Sequence, residues 1–165
     1  MTFWNRREIR FWHGTTRSAA ESILQFGPDL TLSRKRLDFG AGFYVTTREA
    51  RAVVWARTIA CKRGELPAMV CWTHAYDAFQ ALPKLAFADA GHSAGEFWEF
   101  VRLNRTLGGP HRSPPEGWFD VVLGPASSRY DQRLAVEDLD QLSFHTDAGL
   151  EWLSSGSCDA FYVTP

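Results

Sequence analysis

The sequence predicts an α+β fold in a single domain that spans residues 1–165. Three observations support this prediction. A length of 165 residues with 45% apolar residues suits one hydrophobic core. A charged fraction of 22% and a net charge of −1 argue against a disordered chain. Predicted strands and helices are interleaved, but the strands are short and several are separated by loops alone, which favours a mixed sheet over a doubly wound parallel one.

Hydrophobic periodicity and turn residues place the elements along the chain. The predicted strands are rich in aromatic and β-branched residues and lie at residues 8–15, 39–46, 67–73, 119–123, 142–145 and 160–163. The predicted helices lie at residues 18–26, 47–62, 93–107 and 146–153. We expect Ser18 to cap the first helix, with Glu21 completing a capping box. Residues 108–117 are expected to form an irregular loop.

The charges are unevenly distributed along the chain. Residues 1–36 carry seven basic and three acidic side chains, whereas residues 130–165 carry one basic and seven acidic ones. This asymmetry is compatible with a face that attracts anions. The three cysteines contain no CxxC pair, which favours a reducing compartment. Because the first residues contain no signal peptide, we expect a cytoplasmic protein with no membrane partner, with export as an effector without a cleavable signal left open.

Several common catalytic motifs are missing from the sequence. It contains no GxGxxG after a strand, no GxxxxGK[ST], no HExxH and no GxSxG. These absences argue against dinucleotide dehydrogenases, P-loop NTPases, common zincins and α/β-hydrolases. Cys71 and His74 have the spacing of metal ligands, but no second pair accompanies them, so no metal is expected.

Candidate catalytic or binding residues lie in two segments. His13, Gly14 and Thr15 end the first predicted strand. Gly42 precedes the second strand, which contains Tyr44. A histidine at a strand end is more often a structural residue, and a Gly-x-Gly before a strand is usually a bulge or a turn. Neither segment by itself identifies a functional site.

Trp55 lies on the predicted long helix, eleven residues beyond Tyr44. On a helical wheel with about 100° per residue it projects with Arg48, Arg51 and Lys62. The apolar face opposite is predicted to contain Ala50, Val53, Val54 and Ala60. We therefore expect Trp55 to serve a purpose other than core packing.

Three ordered segments resemble the motifs of ADP-ribosyltransferases of the diphtheria-toxin and poly(ADP-ribose) polymerase type. They are FWHGT at residues 11–15, DFGAGFYVTTREARAVVWA at residues 38–56 and DQLSFHTDAGLEWL at residues 140–153. The closest resemblance is to a bacterial family of uncharacterised small domains within that superfamily, and it extends from about residue 9 to residue 153. The second motif is the most specific of the three.

The resemblance implies a split antiparallel β-sheet with flanking helices and a central cleft that holds NAD as the substrate. It implies that His13 bonds the ribose next to nicotinamide, and that the main chain of Gly14 holds the carboxamide. It also implies that nicotinamide stacks on Tyr44 and is covered by Trp55, since aromatic rings attract a cationic pyridinium. The implied NAD-binding residues are His13, Gly14, Thr15, Gly42, Tyr44 and Trp55.

The third motif departs from the superfamily at Gln141, where a glutamate often stands. An amide can bond a ribose hydroxyl, but it carries no charge to stabilise a cation and accepts no proton as a base. The catalytic residues that the resemblance implies are His13, Tyr44 and Gln141. Glu137, Asp138 and Asp140 are alternatives, although a solvated acidic turn is the simpler interpretation of these three.

The resemblance therefore implies a mono-ADP-ribosyltransferase that modifies a macromolecular acceptor, either protein or nucleic acid. A bacterial toxin or effector would fit, and an antitoxin or immunity protein would then be a partner. One alternative is an inactive NAD-binding, nucleotide-binding or interaction module of the same fold. Another is an NAD glycohydrolase or a tRNA 2′-phosphotransferase, which would need a group of cations such as Arg34, Lys35, Arg36 and Arg48.

Overall fold

The computed structural model describes residues 7–91, 93–108 and 119–164, and these form seven strands and five helices. The strands are β1 (Glu8–Thr16), β2 (Phe43–Val45), β3 (Pro67–Ala75), β4 (Leu85–Ala86), β5 (Val121–Arg129), β6 (Leu134–Phe144) and β7 (Ser157–Tyr162). The helices are α1 (Arg17–Phe26), α2 (Glu49–Arg63), α3 (Tyr76–Ala81), α4 (Gly95–Leu107) and α5 (Asp147–Ser154). None of these helices is both long and apolar enough to cross a membrane.

The described strands form two sheets. One has three strands in the order β1-β3-β7, and both of its pairings are antiparallel. The other has four strands in the order β2-β6-β5-β4, in which β5 and β6 are antiparallel but β4 and β5 are parallel. The mixed α and β character that the sequence predicts is therefore confirmed.

The chain forms two compact units. The first consists of Met1–Pro28, Val45–Leu82 and Glu151–Pro165, and the second of Asp29–Tyr44 and Pro83–Leu150, as far as these segments are described. Each unit has its own hydrophobic cluster. The first is built around Trp12, Ala52, Ala56, Met69 and Cys71, and the second around Phe39, Phe97, Trp98, Val101 and Val122. The chain passes between the units four times, so neither is contiguous in sequence.

Helix α1 begins at a different residue from the one predicted. Thr16 is its N-cap, because the Thr16 hydroxyl accepts a hydrogen bond from the Ala19 N–H at 3.4 Å. The Ser18 hydroxyl instead donates to the carboxylate of Glu65. The expectation that Ser18 caps this helix was therefore wrong by two residues.

Helix α2 packs through alanines. Its buried residues are Ala52, Ala56 and Ala60, spaced four apart on one face. The predicted apolar face was wrong in part, since Ala50 is exposed and the Val54 side chain is 58% exposed. Short side chains suit this face because the helix lies close to the sheet at Gly14.

Other differences concern element lengths. Strands β5 and β6 extend beyond the predicted strands, to Arg129 and back to Leu134. Helix α3 and strand β4, which are short, were not predicted. Most of the predicted irregular loop, residues 109–117, lies outside the described residues.

Candidate functional site

In the first unit, α2 lies directly against Gly14. A Cβ atom added at Gly14 would lie 2.2 Å from the Ala52 carbonyl oxygen and 2.8 Å from the Ala56 nitrogen. These are backbone atoms, so no side-chain rotation could make room. Glycine is therefore required here for packing.

The backbone of Gly14 also points to a sheet edge. The N–H of Trp12 donates to the Thr46 carbonyl at 2.8 Å, and the N–H of Thr46 donates to the Trp12 carbonyl at 2.9 Å. This bridge is isolated in the part of the chain that the structure describes, and it lies on the side of β1 away from β3. Because backbone groups alternate along a strand, Gly14 directs its own N–H and C=O to the same side, two residues further on.

His13 and Thr15 lie on the other face of β1. Side chains alternate along a strand, so Trp12 and Gly14 face α2 whereas His13 does not. His13 is half-buried and pairs with Val70, and Thr15 is buried. The His13 ring therefore lies on the face of β1 away from α2, whereas the neighbouring Gly14 offers its backbone N–H and C=O at the edge of the strand.

Trp55 lies outside the core, as predicted. Its side chain is 57% exposed, and it lies about 100° around α2 from the centre of the alanine face. An exposed tryptophan on a helix that packs against Gly14 is a candidate stacking surface.

In the second unit, Tyr44 is held by its hydroxyl. That hydroxyl accepts from the Phe39 N–H at 3.0 Å and donates to the Gly40 carbonyl at 2.7 Å. Burial raises the pKa of Tyr44 well above its usual value, so the phenol stays protonated. The Tyr44 ring packs against the second cluster, stacked with Phe39 at a centroid distance of 6.4 Å and edge-on to His145 at 6.5 Å.

Gly42 has a packing role. Its N–H donates to the Ser33 hydroxyl at 2.7 Å, and that hydroxyl bonds the Gly42 carbonyl at the same distance. A Cβ atom at Gly42 would lie 2.8 Å from Nδ1 of His145. Both backbone groups of Gly42 thus bond Ser33, and the contact of Gly42 with NAD stays a prediction.

Strand β6 carries Gln141 and Ser143 on the face opposite Leu142 and Phe144, and His145, the first residue after the strand, continues this polar row of alternate residues. Nδ1 of His145 donates to the Ala41 carbonyl at 2.7 Å. Its Nε2 then accepts from the Ser143 hydroxyl at 2.6 Å in the neutral ring. This row was not predicted, although the alternation Gln-x-Ser-x-His is visible in the sequence.

Asp38 is the centre of a buried network in the second unit. Its side chain is 4% exposed. One carboxylate oxygen, Oδ1, accepts from Nη2 of Arg105 at 2.6 Å and from Nε of Arg105 at 2.8 Å. The other, Oδ2, accepts from the Ser127 N–H at 2.7 Å and from Nε2 of Gln141 at 2.8 Å. Asp38 and Arg105 were not predicted as site residues, because their ion pair joins residues 67 positions apart.

Gln141 lies well inside β6, opposite Gly124, and is half-buried. Its amide nitrogen also donates to the Pro125 carbonyl at 3.1 Å. Both N–H groups of the amide therefore have acceptors, which leaves the carbonyl oxygen Oε1 to meet a ligand.

The predicted acidic turn is part of β6. Pro125 pairs with Asp140, and Ser127 pairs with Ala135, so residues 136–139 bulge from the ladder opposite a single residue of β5. Asp138 has a φ of 51°, which is unusual for a residue other than glycine. Glu137 and Asp138 are exposed and Asp140 is half-buried. The expectation of a turn was wrong, while the expected exposure of Glu137 and Asp138 is confirmed.

The three consecutive cations at residues 34–36 are exposed, and they precede Asp38 in the second unit. The backbone carbonyl of Arg36 accepts from Nη1 of Arg105 at 3.5 Å. Among the described residues, no group of three or more His, Cys, Asp or Glu side chains could hold a metal ion.

The chain matches a known protein family over most of its length. The sequence profile of a family described as "Protein of unknown function (DUF3990)" matches residues 9–134, which include Gly14, Tyr44 and Trp55. No curated protein matches the chain.

Proposed function

Because the chain belongs to the DUF3990 family, whose description names no activity, we propose its function from its own residues: it transfers ADP-ribose from NAD to a macromolecular acceptor and releases nicotinamide. The acceptor is a protein or a nucleic acid. This is the activity of the ADP-ribosyltransferases that the three sequence motifs resemble. A toxin or effector role, with an antitoxin or immunity protein as partner, is proposed on that resemblance alone.

The observation that carries the proposal is the edge of β1 at Gly14. The carboxamide of nicotinamide offers a carbonyl acceptor and an N–H donor on one flat group. Gly14 directs a matching backbone N–H and C=O to one side of the strand, beyond the bridge between Trp12 and Thr46. A carboxamide bound there would accept from the Gly14 N–H and donate to the Gly14 C=O, as the backbone of a neighbouring strand would. This match favours nicotinamide over a ligand without a primary amide.

Trp55 supports the same ligand. The nicotinamide ring of NAD is a pyridinium cation, and an indole face attracts such a cation by about 0.5–2 kcal/mol. After the glycosidic bond breaks, the released nicotinamide is neutral and this attraction is lost. An exposed tryptophan on the helix that packs against Gly14 would therefore hold the substrate more tightly than the product.

The proposed reaction breaks the bond between the nicotinamide nitrogen and C1′ of the ribose. The electron pair of that bond neutralises the pyridinium, and C1′ gains oxocarbenium character. A nucleophile of the acceptor then forms a bond to C1′ and loses its proton to solvent or a base. In this scheme His13 and Gln141 hold ribose hydroxyls, as the resemblance implies. Since Gln141 is uncharged, it offers only a dipole to the developing cation, and we expect a slow enzyme.

The test uses NAD labelled in the adenylate phosphate and, separately, in the nicotinamide ring. Purified protein is incubated with each substrate and a whole-cell lysate, and the products are treated with protease, DNase or RNase. Transfer predicts that the adenylate label becomes attached to macromolecules and that one of these treatments releases it. Free labelled nicotinamide should appear in equal amount.

The matched variants are Trp55→Ala and Val54→Ala. Both side chains are exposed on α2, so each change should leave the fold intact. We expect Trp55→Ala to reduce transfer and Val54→Ala to leave it unchanged. If neither label is released or attached by the wild type with any lysate, the proposed transfer is wrong.

A binding module without transfer is the second candidate, and the missing charge at Gln141 favours it. The amide nitrogen of Gln141 is bonded to Asp38 and Pro125, and the side chain carries no charge. Such a protein would bind NAD without consuming it. Quenching of tryptophan fluorescence by NAD, with no release of nicotinamide, would establish this second function instead of the first.

A further inference from the structure

We propose that Asp38 is a positioning residue that orients Gln141, so that Oε1 of Gln141 is the atom offered to a ribose hydroxyl. The ribose contact rests on the proposed function, whereas the hold on Gln141 rests on contacts within the second unit alone. Glutamine at this position is then an adaptation to a buried carboxylate rather than the loss of a catalytic glutamate.

The orientation of the Gln141 amide is fixed by chemistry. Its nitrogen faces two groups that can only accept, the Asp38 carboxylate at 2.8 Å and the Pro125 carbonyl at 3.1 Å. Turning the amide over would place Oε1 against both acceptors and leave no hydrogen between them. The two N–H groups are thus held inward, and the carbonyl oxygen is the remaining polar atom.

Asp38 is itself fixed from other elements. Arg105 on α4 neutralises its charge, and the Ser127 N–H on β5 bonds the same carboxylate oxygen that holds Gln141. With 4% of its side chain exposed and both oxygens bonded, Asp38 does not meet a ligand. It can act on a reaction only through Gln141.

A carboxylate at position 141 would conflict with this network. Gln141→Glu would place a second acid 2.8 Å from Asp38, where two negative charges repel each other unless one binds a proton. The charged groups next to the Gln141 amide are Asp38, from the loop before β2, and Arg105, from α4. The buried phenol of Tyr44 is close enough for both charges to influence its pKa, in opposite directions. The amide of Gln141 donates its N–H to Asp38 at any pH, whereas a glutamate at this position could donate only after binding a proton.

The first measurement follows the Gln141 side-chain amide by proton–nitrogen NMR, with Gln141→Asn used to assign its signals. In the wild type we expect signals displaced from those of an exposed glutamine and slow exchange with water. Asp38→Asn should move them toward the position of an exposed glutamine, whereas Asp131→Asn, which changes an exposed carboxylate of the same unit, should not. Unmoved signals in Asp38→Asn would overturn the proposal.

The second measurement separates binding from turnover. In Asp38→Asn we expect kcat for nicotinamide release to fall by up to about 10²-fold, because a displaced hydrogen-bonding group misplaces the reacting ribose. KM for NAD should change little. A kcat equal to that of the wild type in Asp38→Asn, with Gln141→Ala inactive, would refute the positioning role. If the wild type neither binds nor consumes NAD, the ribose contact falls with the proposed function, while the NMR signals still decide whether Asp38 holds Gln141.

The third measurement uses pH. In Gln141→Glu the introduced carboxyl must stay protonated to donate to Asp38, so its pKa in the folded state is raised above the unfolded value. Its contribution to stability is then present at low pH and is lost as the pH rises. Relative to the wild type, Gln141→Glu should lose unfolding free energy between about pH 4 and pH 8. A constant difference across that range would contradict the contact with Asp38.

Discussion

Replacing Gly14 by alanine should force β1 and α2 apart. The added Cβ would lie 2.2 Å from the Ala52 carbonyl oxygen, whereas ordinary contacts begin near 3.4 Å. The helix must therefore move by about 1 Å, at a face formed by alanines that cannot rotate away. Overpacking of this kind costs about 1–3 kcal/mol, and we expect the upper end because both contacting atoms are backbone. The lower chain entropy of alanine offsets about 0.5–1 kcal/mol of this cost.

The assay is urea and thermal unfolding of Gly14→Ala beside a glycine control. At Gly95, the first residue of α4, an added Cβ meets nothing within 4 Å, so Gly95→Ala should be neutral or slightly stabilising. A net loss of about 2 kcal/mol in Gly14→Ala should lower Tm by roughly 4–8 °C for a chain of this size. Equal unfolding free energies for Gly14→Ala and the wild type would refute the close approach of β1 and α2.

Three further outcomes are expected. NAD should quench tryptophan fluorescence, and Trp55→Ala should weaken NAD binding about 2- to 30-fold, the equivalent of one cation–π contact, whereas Val54→Ala should not; equal affinities would remove the stacking role. Replacing the cations at residues 34–36 with alanine should weaken NAD binding and flatten its salt dependence if they hold phosphate, as a salt titration of both proteins will reveal. Burial lowers the pKa of His74, although its hydrogen bond to the Leu153 carbonyl acts in the opposite direction; the folded state thus prefers the neutral ring, and unfolding free energy should fall as the pH drops below about 6.5. His74→Gln should show a shallower fall in urea titrations between pH 7 and pH 5, and an unchanged slope would exclude His74 as the source.

The elements that could be predicted from the sequence are those with strong local signals. Aromatic residues before Gly14 predict β1, which extends only one residue further, and the Gly-Pro pair at residues 27–28 ends α1 as expected. The exposure of Trp55 was also predictable, because charged residues surround it on the helical wheel. These features depend on neighbouring residues alone.

The predictions that were wrong depend on contacts distant in sequence. The buried face of α2 is formed by alanines because the backbone of Gly14 lies close to the helix there, and the hydrophobic pattern of the helix does not reveal this close approach. The ion pair between Asp38 and Arg105 joins a loop to a helix and leaves no periodic signal. The environment of Gln141 was unpredictable for the same reason, since its acceptors come from a different strand and a different loop.

The division of the chain among interleaved segments affects the order in which the protein can fold during synthesis. The sheet of the first unit is completed by β7, at Ser157–Tyr162, which the ribosome makes after every segment of the second unit. Strand β3 therefore emerges with one neighbour already made and the other still missing, and its edge stays open while about eighty further residues are added. The half of the molecule that carries Gly14 and Trp55 is thus the last to close, and a chain stalled before β7 would expose an apolar strand to chaperones and proteases.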